Sequence, residues 1–186
     1  MTVDFPGTGN FLRKILGKGT SFTRAALSLT ALRLSAAGVR FLKPGRLISP
    51  PGTYFVTFLT WQRCRLFVVE SHVRLFLKTL YGYRRAGRFQ LHASVIMPEH
   101  VHVLLTPADD ITIERAIQLI KGGYSHAVGA ELGRKREIWQ RGFTDHRIRD
   151  AQDYAHHREY IHQNPVARRL VERAPEYRYC SAFPGI

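Results

Sequence analysis

The chain contains few acidic residues and few cysteines. Its 186 residues include 14 Asp and Glu against 28 Lys and Arg, so the formal net charge is +14. A protein this basic attracts polyanions before any specific contact forms, which makes nucleic acid the first candidate partner and an anionic membrane surface the second. Cys64 and Cys180 are the two cysteines. They are too few for a disulfide framework and are typical of a reducing compartment.

Two further absences exclude whole classes of protein. No window contains the roughly 18 to 20 uninterrupted apolar residues that a membrane-spanning helix needs. The sequence also has no G-x-x-x-x-G-K-[ST] segment. We therefore expect no membrane-spanning helix and no chemistry driven by P-loop nucleotide hydrolysis.

The first 50 residues differ in composition from the remainder of the chain. Their one acidic residue is Asp4, and basic residues are spread among Ser, Thr, Leu and Gly. This composition is compatible with an organellar transit peptide, with a basic arm that binds nucleic acid, or with an extension that has no stable fold. We predict a basic, poorly ordered extension over residues 1–50 and one folded domain over 51–186, with the boundary at Pro50, Pro51 and Gly52.

The folded part has a clear order of predicted elements. Strand-like residues occur at 53–60, an apolar helical face over 70–86, two strands over 90–97 and 100–106 joined by a tight turn, and a helix over 111–128. Residues 137–148 have extended character and 151–163 are helical. This order predicts an α+β fold, a ferredoxin-like sandwich in which helices pack on an antiparallel β-sheet, followed by one more helix.

The stretch PEHVHVLL places His100 and His102 one residue apart in a predicted strand. Side chains at i and i+2 lie on the same face of a strand, so the two imidazoles point the same way and can bind one metal ion. The H-x-H pattern alone is weak evidence, because paired histidines on strands are more often not ligands. His92, on the preceding strand, we interpret as structural.

The stretch EYIHQNPV places Tyr160 and Asn164 four residues apart, on one face of the last predicted helix. Pro165 disfavours helical geometry at the residue before it, so we expect Asn164 at the end of the helix with its amide oxygen directed outward. From the residues alone, a packed tyrosine and a helix-terminating asparagine explain this pattern as well as a functional site does.

Three segments together resemble a known family. MPEHVHVLL, IWQRGFTDHRIRD and YIHQNPVARRLVERAPEYRYCSA, in this order and spacing, resemble the REP-associated tyrosine transposases, which belong to the HUH single-tyrosine transposases. The similarity extends over roughly residues 51–182, so the first 50 residues lie outside it. The chain departs from the family at ARRL, residues 167–170, where relatives often have R-A-G-L, and this puts the local helix geometry in question.

The resemblance implies an activity and a set of residue roles. The family cleaves and rejoins single-stranded DNA through a covalent 5′-phosphotyrosine, acting on hairpins of repetitive palindromic elements. By resemblance, Tyr160 is the nucleophile, His100 and His102 bind Mg²⁺ or Mn²⁺, and Asn164 is the third metal ligand. The resemblance also implies a bacterial cytoplasmic protein that associates with the nucleoid, works without a membrane, and acts as a monomer or homodimer.

Other residues are candidates for DNA binding. Trp139, Phe143 and Tyr154 are candidates for stacking on bases, although we expect at least one or two of them in the core. His157 lies one turn before Tyr160 and is a weak candidate for proton transfer, whereas we expect His146, His156 and His162 at the surface. Eleven cations could bind along a phosphate backbone, and we expect about half of them only to be solvated. They are Arg84, Arg85, Arg88, Arg134, Lys135, Arg136, Arg141, Arg147, Arg149, Arg168 and Arg169.

Two alternative functions fit the same residues. A domesticated, non-catalytic protein that only binds single-stranded DNA hairpins would have the same charge and fold and would tolerate Tyr160→Phe. A metal-dependent hydrolase that activates water would cleave DNA without forming a protein–DNA adduct.

Overall fold

A computed structural model of the chain describes residues 51–133 and 137–185. The extension predicted for residues 1–50 lies outside the described residues. Within them, no helix is long and apolar enough to cross a membrane. The elements in chain order are β1 (Tyr54–Leu59), α1 (Glu70–Arg85), β2 (Phe89–Met97), β3 (His100–Pro107), α2 (Ile113–Leu132), β4 (Thr144–Arg147) and α3 (Ala151–Ala167).

The four strands form one antiparallel sheet in the order β2-β3-β1-β4. Antiparallel neighbours β2 and β3 are joined by the tight turn at Pro98 and Glu99, as the sequence predicted. The register places His102 beside Thr57 and His100 beside Leu59. The α+β, ferredoxin-like arrangement expected from the sequence is therefore confirmed, and it sets β3 in the interior of the sheet.

Helices cover both faces of the sheet. Helices α1 and α2 pack on one face, where alternate residues of β1, such as Val56 and Phe58, and of β3, such as Val101 and Val103, form the larger core. The other face carries a smaller core that includes Val95, Leu104 and, from α3, Ile161. The expected additional helix thus lies on the face opposite to α1 and α2, and this face is where His100 and His102 point.

Helix α3 continues past its internal proline. It begins at Asp150, whose carboxylate accepts a hydrogen bond from the Asp153 backbone N–H at 2.8 Å. It ends at Ala167, so the expected end near Asn164 is wrong. Pro165 has no N–H to donate to the carbonyl of Ile161. The thiol of Cys180 approaches that carbonyl with a sulfur–oxygen distance of 4.0 Å, which partly replaces the missing partner.

The turn after α3 forms without the glycine common in relatives. Arg169 has φ +54°, its N–H donates to the carbonyl of Val166 at 2.8 Å, and the N–H of Leu170 donates to the carbonyl of Pro165 at 2.9 Å. These two bonds define a Schellman motif, which normally has glycine at the left-handed position. The substitution in ARRL therefore preserves the turn but places a side chain in a strained backbone conformation.

The region before α3 is less regular than the sequence predicted. Extended structure was expected over residues 137–148, whereas a strand forms only at Thr144–Arg147 and Trp139 makes an isolated bridge to Thr60. The indole of Trp139 points into the core and donates a hydrogen bond to the Lys121 carbonyl at 3.0 Å. The backbone around Trp139 still pairs with the end of β1, because the N–H of Trp61 donates to the carbonyl of Ile138 and the N–H of Gln140 donates to the carbonyl of Leu59.

Candidate active site

Strand β3 presents two buried imidazoles to the face covered by α3. Nε2 of His100 and Nε2 of His102 lie 3.1 Å apart, and the side chains are 5% and 4% exposed. This proximity follows from the alternation of a strand, in which residues two apart share a face. The structure therefore brings together the two histidines that the H-x-H pattern singled out.

The other ring nitrogen of each imidazole has a partner. Nδ1 of His100 lies 3.1 Å from a carboxylate oxygen of Glu99, and Nδ1 of His102 lies 2.7 Å from the hydroxyl of Thr57. An Nδ1–H that donates to such partners fixes the ring and leaves the Nε2 lone pair available. Both Nε2 atoms can then act as ligands toward the same point.

Asn164 reaches this point from α3. Its Nδ2 lies 3.3 Å from Nε2 of His102, and its side chain is buried. Among the described residues, Oδ1 of Asn164 is a buried oxygen without a hydrogen-bond partner. A buried carbonyl oxygen without a partner is costly unless something absent from the protein itself binds it. Turning the amide so that this oxygen, rather than Nδ2, faces the two Nε2 atoms gives a donor set that fits a divalent cation.

Tyr160 lies one turn before Asn164 and packs on the same group. Its ring is edge-on to the ring of His102, with 5.4 Å between centroids, and edge-on to Phe55 at 5.6 Å. Burial raises the pKa of the Tyr160 phenol, while the charge of Arg168 and a hydrogen bond from Asn164 act in the opposite direction. The phenol is therefore protonated at neutral pH, and the groups that favour its ionisation lie beside it.

The electrostatic environment keeps His102 neutral. Burial, followed by the proximity of His100 and Arg168, holds the pKa of His102 well below its ordinary value. The hydrogen bond with His100 lowers the pKa of Glu99 against the opposing effect of burial, and Arg168 adds to the decrease. A neutral imidazole such as that of His102 is the form of histidine that binds a metal.

A second cluster joins β4 to the start of α3. Nε2 of His146 lies 2.8 Å from Oδ2 of Asp153, and Nδ1 of His157 lies 3.1 Å from Oδ1 of the same carboxylate. These three side chains are close enough to hold an ion. However, the two imidazoles stack face to face at 4.5 Å, so their in-plane lone pairs do not converge, and Arg149 also donates to Oδ2. The arrangement fits a hydrogen-bonded cluster better than a metal site.

The remaining sequence candidates have structural surroundings. Trp139 and Phe143 are both partly buried against the larger core. Tyr154 packs edge-on against His92, which hydrogen bonds to Thr106 at 2.8 Å. His157 is buried and bonds to Asp153 rather than to Tyr160. His146 and His162 are half-buried, contrary to the expectation that they lie at the surface, whereas His156 is exposed.

Several of the candidate cations already have partners. Arg88 pairs with Asp110, Arg147 donates to the carbonyl of Pro51, and Arg149 donates to Asp153. Arg168 approaches Glu99 at 3.8 Å. Arg134, Lys135 and Arg136 lie outside the described residues.

Sequence reasoning missed three residues of the site. Phe55 and Thr57 reach it only through the pairing of β1 with β3, which a single sequence does not reveal. Glu99 could have been recognised, since it immediately precedes His100 in the turn.

Comparison with known proteins places this chain among enzymes that act on DNA. Residues 52–164 match the family described as Transposase IS200 like. The chain belongs to this family of tyrosine transposases, and the resemblance found in the sequence is confirmed.

Relatives make the assignment more specific. The chain is 30% identical over 129 residues to the REP-associated tyrosine transposase of Escherichia coli (strain K12). The aligned region covers 69% of this chain and 74% of the relative. It also resembles the solved structure of a REP-associated tyrosine transposase bound to a REP hairpin, with 27% identity and a TM-score of 0.61. That likeness covers 75% of this chain and 82% of the other.

Proposed function

We propose that this protein cleaves and rejoins single-stranded DNA through a covalent 5′-phosphotyrosine at Tyr160, in a reaction that requires a divalent metal ion. The observation that carries the proposal is the contact between the Tyr160 ring and His102, whose Nε2 faces Nε2 of His100. A nucleophile beside a convergent set of ligands is the arrangement that phosphoryl transfer needs.

His100, His102 and Asn164 are the residues that would hold the metal. The two facing Nε2 atoms and the partnerless Oδ1 of Asn164 support this assignment. Bound Mg²⁺ or Mn²⁺ would supply Lewis acidity toward a phosphate oxygen, and three protein ligands leave coordination positions for water and phosphate. Glu99 and Thr57 keep the two imidazoles in orientation through their Nδ1 atoms.

Tyr160 supplies the nucleophilic oxygen. Its phenol attacks the phosphorus, the bond from phosphorus to the 3′-oxygen breaks, and the proton lost by the phenol ends on the released 3′-hydroxyl. One phosphodiester replaces another, so a later attack by a 3′-hydroxyl reverses the step without an energy source. The absence of a P-loop motif from the sequence agrees with a reaction that does not use nucleotide hydrolysis.

The proposed substrate is a DNA hairpin with a single-stranded flank. One structural relative is bound to a REP hairpin, and the chain carries a net charge of +14. An excess of Lys and Arg provides the sequence-independent attraction on which DNA binding depends. We therefore expect palindromic repeat hairpins as substrates and transposition or repeat mobilisation as the biological process.

The test uses a pool of labelled hairpins with randomised single-stranded flanks, incubated with the full chain and Mn²⁺. We expect cleaved DNA and a labelled band that migrates with the protein on a denaturing gel. Tyr160→Phe should abolish both, while hairpin affinity stays within a few fold. Tyr154→Phe, on the same helix but packed against His92, is the matched control and should remain active.

Three results would redirect the assignment. Hairpin binding without cleavage by the wild-type chain would indicate the non-catalytic binding protein. Cleaved DNA without a protein-linked band would indicate a hydrolase that activates water. Undiminished cleavage in excess chelator would exclude the metal site formed by His100, His102 and Asn164.

A further inference from the structure

Arg168 directly follows α3 and lies beside the candidate site. Its backbone N–H donates to the carbonyl of Asn164 at 3.0 Å. This bond joins the backbone of Arg168 to the residue that completes the proposed ligand set. Asn164 is in turn one helical turn beyond Tyr160, so all three residues lie along the end of α3.

The guanidinium of Arg168 is only weakly engaged in the described structure. Its Nη2 lies 3.8 Å from a carboxylate oxygen of Glu99, beyond hydrogen-bonding distance, and its side chain is 48% exposed. Guanidinium has five N–H donors and matches the geometry of phosphate oxygens. A phosphate that enters the site can therefore bind Arg168 without first breaking a strong ion pair.

The guanidinium of Arg168 lies beside the proposed ligand set. The Glu99 oxygen that its Nη2 approaches at 3.8 Å also lies 3.1 Å from Nδ1 of His100. This carboxylate is a negative charge at the site, and a DNA phosphate adds another. A cation at this position offsets both, and electrostatic stabilisation of this kind is a major source of catalysis in phosphoryl transfer.

We infer that Arg168 is a catalytic residue that binds a non-bridging oxygen of the scissile phosphate. This inference rests on the proposed function. During cleavage the cation offsets charge on the phosphorus oxygens, and during rejoining it stabilises Tyr160 as the leaving phenolate. The chemistry is the exchange of phosphodiesters already described, so no further reactant is needed.

The chain provides a control with the same charge. Arg169 is the next residue, is exposed, and has φ +54°. Arg169→Gly removes one positive charge from the same turn and introduces the residue that suits its backbone. Any effect of net charge on DNA binding therefore appears equally in Arg168→Ala and Arg169→Gly.

The binding experiment uses the hairpin that the wild-type chain cleaves best and a copy with a neutral methylphosphonate at the mapped cleavage position. Affinities are measured in chelator with the Tyr160→Phe chain, so neither chemistry nor metal enters. We expect Arg168→Ala to weaken binding of the natural hairpin by about tenfold, as for a hydrogen bond to a charged group. It should have almost no effect on the methylphosphonate copy, and Arg169→Gly should affect both copies equally and by less than about threefold.

Cleavage provides the second readout. With Tyr160 present and Mn²⁺ added, we expect Arg168→Ala to reduce the single-turnover rate by about 10²-fold, Arg168→Lys to recover part of it, and Arg169→Gly to leave it unchanged. If the wild-type chain cleaves while Arg168→Ala behaves as Arg169→Gly, the role of Arg168 is wrong and the proposed function stands. Equal weakening of both hairpins by Arg168→Ala would also overturn it. If the wild-type chain forms no adduct, both proposals fail together.

Discussion

At the residue scale, Arg169 has a backbone conformation that favours glycine. A left-handed conformation costs a residue with a Cβ about 1–2 kcal/mol. Because the Schellman bonds to Val166 and Pro165 are already formed, glycine would keep the turn and remove this strain. We predict that Arg169→Gly increases the free energy of unfolding by about 1 kcal/mol, measured by chemical denaturation.

The comparison with Arg168→Gly makes this prediction specific. Arg168 has φ −92°, so glycine there relieves no strain and should not stabilise the chain. Equal free energies of unfolding for the Arg169→Gly variant and the wild type would show that the left-handed arginine costs nothing.

The residues of the site could be predicted from the sequence to different degrees. The alternation of a strand brings His100 and His102 together, and the helical repeat brings Tyr160 and Asn164 together, so each pair follows from local geometry. The contact between the two pairs depends on the packing of α3 against the sheet, and only the family resemblance suggested this contact from the sequence.

At the element scale, Gly123 of α2 lies against the side chains of Tyr83 and Thr79 of α1. A Cβ at this position would lie 2.7 Å from a ring carbon of Tyr83 and 3.2 Å from Cγ2 of Thr79, whereas a Cβ at Gly122 would meet nothing within 4 Å. We predict that Gly122→Ala stabilises the chain by about 0.5–1 kcal/mol, as expected inside a helix.

Gly123→Ala should not give this gain, since the Tyr83 ring and Thr79 must move to accommodate the methyl group. Its free energy of unfolding should lie at least about 1 kcal/mol below that of Gly122→Ala. Thermal or denaturant unfolding of the two variants side by side measures the difference. If both alanines stabilise equally, the two helices can separate at no cost, and the close contact does not constrain their packing.

Helix α3 shows why element boundaries were predicted less well than elements. Pro165 indicated an end near Asn164, but the helix continues to Ala167, and the thiol of Cys180 lies 4.0 Å from the Ile161 carbonyl that Pro165 leaves without its usual donor. Likewise, the strand-like composition of residues 137–148 gives a strand only at Thr144–Arg147 and an isolated bridge at Trp139. The local pattern therefore predicted which elements form but not where each one begins and ends.

At the scale of the whole molecule, four histidines make stability dependent on pH. Burial lowers the pKa of His92, His102, His157 and His162. The unfolded chain, with ordinary values near 6.5, therefore binds more protons than the folded chain as the pH falls below about 6.5. The stability present above pH ~6.5 is lost as the pH decreases toward the lower folded values.

We predict a lower denaturation midpoint at pH 5.5 than at pH 7.5, measured in chelator so that no metal stabilises the neutral imidazoles. Burial would raise the pKa of Asp153, but hydrogen bonds from His146 and Arg149 lower it to about 2. This carboxylate therefore adds a further loss of stability only below about pH 4. A midpoint that is unchanged or higher at pH 5.5 would contradict the burial of these histidines.

The most direct measurement is the position of the covalent bond to DNA. After incubation with the cleaved hairpin and Mn²⁺, nuclease treatment and trypsin digestion should yield residues 159–168, EYIHQNPVAR, in which Tyr160 is the only tyrosine. We expect this peptide to carry the mass of a 5′-linked nucleotide on Tyr160 by fragmentation mass spectrometry. A nucleotide on any other residue, or an unmodified peptide from chain that has cleaved its substrate, would contradict Tyr160 as the nucleophile.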